Sequence, residues 1–115
     1  MNKVFEKIAT IQGMIAAAFV TEEGKVAGWC ANSAISPENL AFIAETCRVI
    51  LSANRAEQRL AHTGVVVFGN RTLIFREGEP GLFLVYLDSP INDAVMEWLW
   101  EQVNPLLESE GIKLL

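Results

Sequence analysis

Residues 64–75, "GVVVFGNRTLIF", constrain the fold more than any other stretch of this chain. They read as two strands joined by a tight turn. Gly69 stands at the first central position, the type II′ pattern. Val65, Val66, Val67 and Phe68 are all apolar, whereas a strand with one wet face alternates apolar and polar residues. Residues 82–87, "LFLVYL", share this property. Two strands apolar on both faces require a sheet that is covered on both sides.

The rest of the pattern supplies that cover. Residues 2–11 place Val4, Phe5, Ile8 and Ile11 on one side at helical spacing, a short amphipathic helix ended by Gly13. Residues 14–21 and 25–30 read as a hairpin around "EEG", with Gly24 left-handed. The alanines of the first strand let another layer pack closely over it. Ser36 caps a second helix, with Pro37 in its first turn and Glu38 at the positive end of its dipole, running to about residue 59. Strands follow at 64–68, 71–76 and 82–87, with "EGEPG" as the turn before the last. Ser89 or Asn92 caps a third helix, which reaches about residue 107 and ends or kinks near Pro105. The tail "SEGIKLL" frays or docks. The order is helix-strand-strand-helix-strand-strand-strand-helix. No linker or repeat divides the 115 residues, so residues 1–115 are expected to form one α/β (α+β) domain. Five strands and three helices make a three-layer sandwich. The second helix would cover one face of the sheet, and the first and third the other.

The second helix is apolar on two sides. Leu40, Ile43, Ala44, Cys47, Ile50 and Leu51 form the face that suits the sheet. Phe42, Val49, Ala53 and Ala56, with Thr46 among them, line up on nearly the opposite side. Glu45, Arg48, Ser52 and Arg55 occupy the strip between. A surface helix should be wet on its far side, so the second stripe calls for a cover. With all three helices already placed, that cover is a second chain, unless the first helix or the C-terminal tail reaches it. The third helix shows a weaker form of the same feature. Ile91, Val95, Trp98, Leu99 and Leu106 form one face, and Met96, Trp100, Val103 and Leu107 another. Trp100 therefore belongs either to the core or to a partner site.

Charge excludes several functions. The net charge is −5 and no Lys/Arg run occurs, so the electrostatic footprint of a nucleic-acid binder is missing and anionic lipid is a poor partner. No apolar run reaches the length of a membrane-spanning helix. "MIAAAFV" after Lys3 and Lys7 is followed by "TEEG" and not by a cleavage site, which predicts a cytoplasmic protein. Cys30 and Cys47 form no metal-binding or redox spacing and are expected as reduced, buried thiols. His62, the only histidine, has no spacing relation to either. The carboxylates sit in turns and at helix ends, and neither phosphate-binding glycine motif occurs. No catalytic residue, metal ligand set or cofactor site is expected.

The order of elements, the segment "IQGMIAAAFVTEEGKVAGW" and the meander "GVVVFGNRTLIFREGEPGLFLVYL" together resemble the Roadblock (dynein light-chain Roadblock type) family, in its stand-alone prokaryotic form. Glu23-Gly24 stands where Asp-Gly is usual. The resemblance spans roughly residues 1–109 and implies a five-stranded antiparallel sheet with helices on both faces. It implies a homo- or heterodimer built through the second helix and third strand, which puts Phe42, Val49, Ala53, Ala56, Val65 and Val67 at the interface. It also implies a regulator or scaffold of a small Ras-like GTPase, without enzymatic activity. Glu45, Arg48, Ser52, Arg55 and Trp100 are then the candidates for touching that partner, with Arg48 and Arg55 the nearest to an arginine finger. An alternative of another class is a profilin-like sensor domain that binds a small molecule in a pocket lined by Trp29, Trp98 or Trp100. A third, a thiol enzyme, requires a reactive Cys30 or Cys47.

Overall fold

Small residues set the layout. Ala16, Ala17 and Ala18 are wholly buried in strand β1 (Met14–Thr21), so the middle of this strand projects little from either face and leaves room for a helix on each side. The fold is that of a computed structural model, which describes residues 2–32, 34–56 and 62–115 and, in the second helix, side chains up to Ala53. Strand β1 pairs antiparallel with β2 (Val26–Ala31) through a hairpin in which Gly24 has φ +85°, a conformation that costs glycine little. On its other edge β1 pairs with β5 (Gly81–Leu87). Strand β4 (Arg71–Glu79) lies beside β5, and β3 (Thr63–Phe68) beside β4. The sheet order is β2-β1-β5-β4-β3, antiparallel throughout.

Helix α1 (Asn2–Ile8) and helix α3 (Asp93–Glu108) cover one face. Val4, Phe5 and Ile8 of the first and Leu99, Val103 and Leu107 of the second pack with Phe19, Ile74, Phe83 and Val85. Helix α2 (Pro37–Ala56) covers the other face, with Leu40, Ala44, Cys47 and Leu51 on Ala16, Ala18, Phe75 and Leu84. This is the division of helices that periodicity predicts. The Ser36 hydroxyl accepts from the Asn39 N–H at 3.2 Å and caps α2. Of the two residues considered for α3, Asn92 is the cap, its side chain accepting from the Val95 N–H at 2.9 Å.

Three expectations are corrected. The sheet has six strands, not five, because the tail docks. Gly111, at φ +78°, turns the chain after α3, Ile112 enters the core, and β6 (Lys113–Leu114) pairs with Gly78 and Glu79. The segment read as a turn at 77–81 is mostly strand, since β4 extends to Glu79 and thereby offers the edge that β6 takes. Helix α3 reaches Glu108, close to the expected residue 107, with Pro105 inside it. The largest departure concerns β3. Its apolar faces are not both covered within the chain: Val65, Val67 and Phe68 are 41%, 63% and 54% exposed. Strand β3 lies at the end of the sheet, where α2 reaches Val66 on one face while Val65 and Val67 on the other face stay exposed.

Candidate partner-binding surface

Helix α2 is built to lie between two layers. Its inner face is buried, while Phe42 and Val49 on the outer face are 75% and 62% exposed. Thr46 and Ala53 beside them are exposed as well. Burial of one such large side chain is worth about 1.5–3 kcal/mol, so this stripe is a strong adhesive. The side chain of Ala56 lies outside the described residues.

Strand β3 stands next to it. Its inner edge pairs with β4 from Thr63 to Phe68, and among the described residues no strand pairs with its outer edge. An apolar edge of this kind is a template for another strand. Gly64 shows how tightly β3 is held to β4: a Cβ there would run into the Phe75 ring. Between α2 and β3 runs an apolar groove of about 560 Å³, lined by Phe42, Ile43, Ile50, Val66, Phe68 and Tyr86 among others. The outer stripe of α2, the groove and the edge of β3 thus form one continuous apolar surface. Sequence reasoning did not find the groove. Its only signal was Phe68, a large apolar residue placed directly before a turn.

The polar residues of α2 do not converge on a shared site. The Arg48 guanidinium Nη2 donates to the carbonyls of Val20 and Thr21, at 3.0 and 2.5 Å, and its Nη1 lies 3.7 Å from Glu45. It ties α2 to the end of β1, so acting on a partner would require giving up those bonds. Ser52 shares a hollow of about 440 Å³ with Arg48, Glu77 and Glu79. Glu45 is largely exposed. The side chain of Arg55 lies outside the described residues.

Trp100 belongs partly to the core. It packs against Phe83, with ring centroids 6.1 Å apart, and over the Arg76 guanidinium at 5.3 Å. Trp29 lines a different hollow, beside Glu6 and Cys30, and Trp98 stands 47% exposed. Trp29 and Trp100 line different hollows, and Trp98 lines neither of them. Cys30 and Cys47 sit on opposite faces of the sheet. Burial pushes the Cys47 thiol up to about 12, and burial also raises Cys30, opposed by a backbone hydrogen bond from Ala17. Both shifts run opposite to the lowered pKa of a reactive thiol. His62 Nδ1 lies 3.5 Å from the Glu77 carboxylate, so its neighbour is an acid and not a thiol. Among the described residues no group of three His, Cys, Asp or Glu is arranged to hold a metal ion, and no helix is long and apolar enough to cross a membrane.

No family model matches the sequence, and no curated protein matches it. Solved structures do match. A Roadblock/LC7 domain from Streptomyces avermitilis is 16% identical, with a TM-score of 0.73 over 95% of this chain and 92% of that one. MglB of Myxococcus xanthus is 10% identical, with a TM-score of 0.71 over 96% and 89%. The gliding protein MglB of Thermus thermophilus is 16% identical, with a TM-score of 0.66 over 93% and 87%. At such identities the likeness is one of architecture, and it extends over nearly the whole chain. A central antiparallel sheet with α2 on one face, α1 and α3 on the other, and β3 at its edge is the Roadblock/LC7 fold, and this chain has it.

Proposed function

We propose that this chain is a non-enzymatic, cytoplasmic homodimer that regulates or scaffolds a small Ras-like GTPase. The observation that carries this reading is the continuous apolar surface formed by the outer stripe of α2 and the free edge of β3. A second copy related by a two-fold axis presents the same surface and buries both at once. Strand β3 would pair with its counterpart, and Phe42, Val49 and Ala53 would meet those of the partner. The fold supports the GTPase part of the reading, because the Roadblock resemblance implies action on such a protein. A GTPase would be influenced by ordering of its own switch loops, since Arg48 is bonded within this chain.

Two measurements test the two halves. Light scattering on the purified chain at micromolar concentration is expected to give the mass of a dimer, and Phe42→Asp the mass of a monomer, because an unpaired carboxylate is costly to bury. A wild-type chain that stays monomeric sinks the dimer. The tagged chain is then incubated with lysate of its source cell, with GDP or with a non-hydrolysable GTP analogue. Retention of a small GTPase that depends on the nucleotide supports the regulator. A well-behaved dimer that retains none under either condition overturns it.

A further inference from the structure

The face of the sheet beneath α1 and α3 is left open towards its edge. Val65 pairs with Ile74 and Val67 with Thr72. Residues directly opposite each other share a face, and Ile74 belongs to the core under α3. Val65 and Val67 therefore lie on the α3 side, where both are exposed. Helix α3 stops short of them. Its flank carries Met96 and Trp100, both packed on that core yet only partly buried, and Trp100 rests over Arg76. Arg76 is opposite Thr63, the next residue of β3 on this face. A hollow of about 440 Å³ lies between Arg76 and α3; Val65 and Val67 do not line it but stand on the same face of the sheet, next in register beyond Thr63.

The α3 side of this trough carries only negative charge, three carboxylates against the single Arg76 that faces them across the hollow and rests on Trp100. Asp93, Glu97 and Glu101 line the hollow at successive fourth positions, one above another on α3. All three are exposed, and α3 contains no Lys or Arg. Among the described residues none of the three side chains takes part in a hydrogen bond or ion pair. Like charges at this spacing repel, and a cationic partner would relieve that repulsion.

We propose that this trough docks a cationic amphipathic helix of a protein partner. Its apolar side would cover Val65, Val67, Met96 and Trp100. Its Lys or Arg residues, repeating every four positions or about 6 Å, would meet Asp93, Glu97 and Glu101. The site lies on the opposite face of the sheet from α2. Pairing of the β3 edge with a second copy uses backbone groups and leaves this face open. The inference therefore stands apart from the dimer and from the GTPase.

The test uses a synthetic helical peptide of about 15 residues, apolar on one face with Lys at every fourth flanking position, and a twin with Glu in place of each Lys. Nitrogen–proton correlation spectra of the full chain report the Trp100 indole and the Val65 and Val67 amides. The Lys peptide is expected to shift these signals and its twin is not. The triple variant Asp93→Asn, Glu97→Gln, Glu101→Gln is expected to weaken binding about tenfold, since each exposed ion pair contributes roughly two- to fivefold. Added salt should weaken it in the same direction. The proposal is overturned if the Lys peptide leaves these signals unmoved, if shifts appear only around Phe42 and Val66, if both peptides bind alike, or if the triple variant binds as wild type does.

Discussion

Strands β5 and β3 are made of similar residues and end in opposite surroundings. Leu82 to Val85 of β5 are essentially inaccessible, with Phe83, Leu84 and Val85 at 0%. In β3, with three valines and a phenylalanine, Val67 is 63% exposed. The difference is one of place. Strand β5 lies between β1 and β4, under helices on both faces, whereas β3 ends the sheet. A run apolar on both faces states that both faces will be covered. It does not state whether the cover comes from the same chain. The two sides of α2 repeat the lesson: Leu40 and Cys47 are wholly buried on one, while Phe42 is 75% exposed on the other.

Substitutions in the two strands should separate sharply. Phe83→Ala in β5 removes a ring that packs against Phe5 and Trp100. It is expected to cost about 3–5 kcal/mol in chemical denaturation, the largest effect considered. A loss under about 1 kcal/mol would mean that β5 is not the centre of the core. Gly64→Ala tests whether the start of β3 is as tightly seated as its exposed end is loose. The new methyl meets the Phe75 ring, so a loss of about 1–3 kcal/mol is expected, and a neutral result would show that the ring gives way.

Alkaline titration probes the buried side of α2. The Cys47 thiol is held near 12 in the folded chain against 9.0 as its ordinary value. Between these values the unfolded chain has released a proton that the folded chain keeps, so folding stability falls as pH rises from 9 towards 12 and is intact below. Cys47→Ala should flatten that part of the stability profile relative to wild type. An unchanged slope would remove the assignment to Cys47. The smallest effect is expected at Val67→Thr in β3, within about 0.5 kcal/mol for the monomeric Phe42→Asp chain. A clearly larger loss would show that Val67 is packed in the folded chain and not left open on the α3 face.

Much of this architecture was legible along the chain. Periodicity and turn chemistry located the hairpin glycines, the Ser36 cap and the bounds of β1, because these depend on neighbours a few residues apart. The docking of Ile112 and Leu114 was not legible, since two apolar residues in a polar tail carry no period, and their place depends on a free stretch of β4. Nor was the bonding of Arg48 to the end of β1, a contact between residues 27 and 28 positions apart. On α2 the spacing of Phe42 and Val49 revealed a second apolar stripe, but the groove beside it required β3 and β5 to be brought together.

By itself the sequence determined that there would be a sheet with two covered faces, helices of the right length to cover them, and a surplus of apolar surface on α2. These follow from side-chain direction, which repeats every two residues in a strand and about every 3.6 in a helix. Only the tertiary structure decided where the surplus would lie. Strand order made β5 central and β3 terminal, and the span of α3 left Val65 and Val67 uncovered. Strand order is set by pairing between distant segments, and no local period records it.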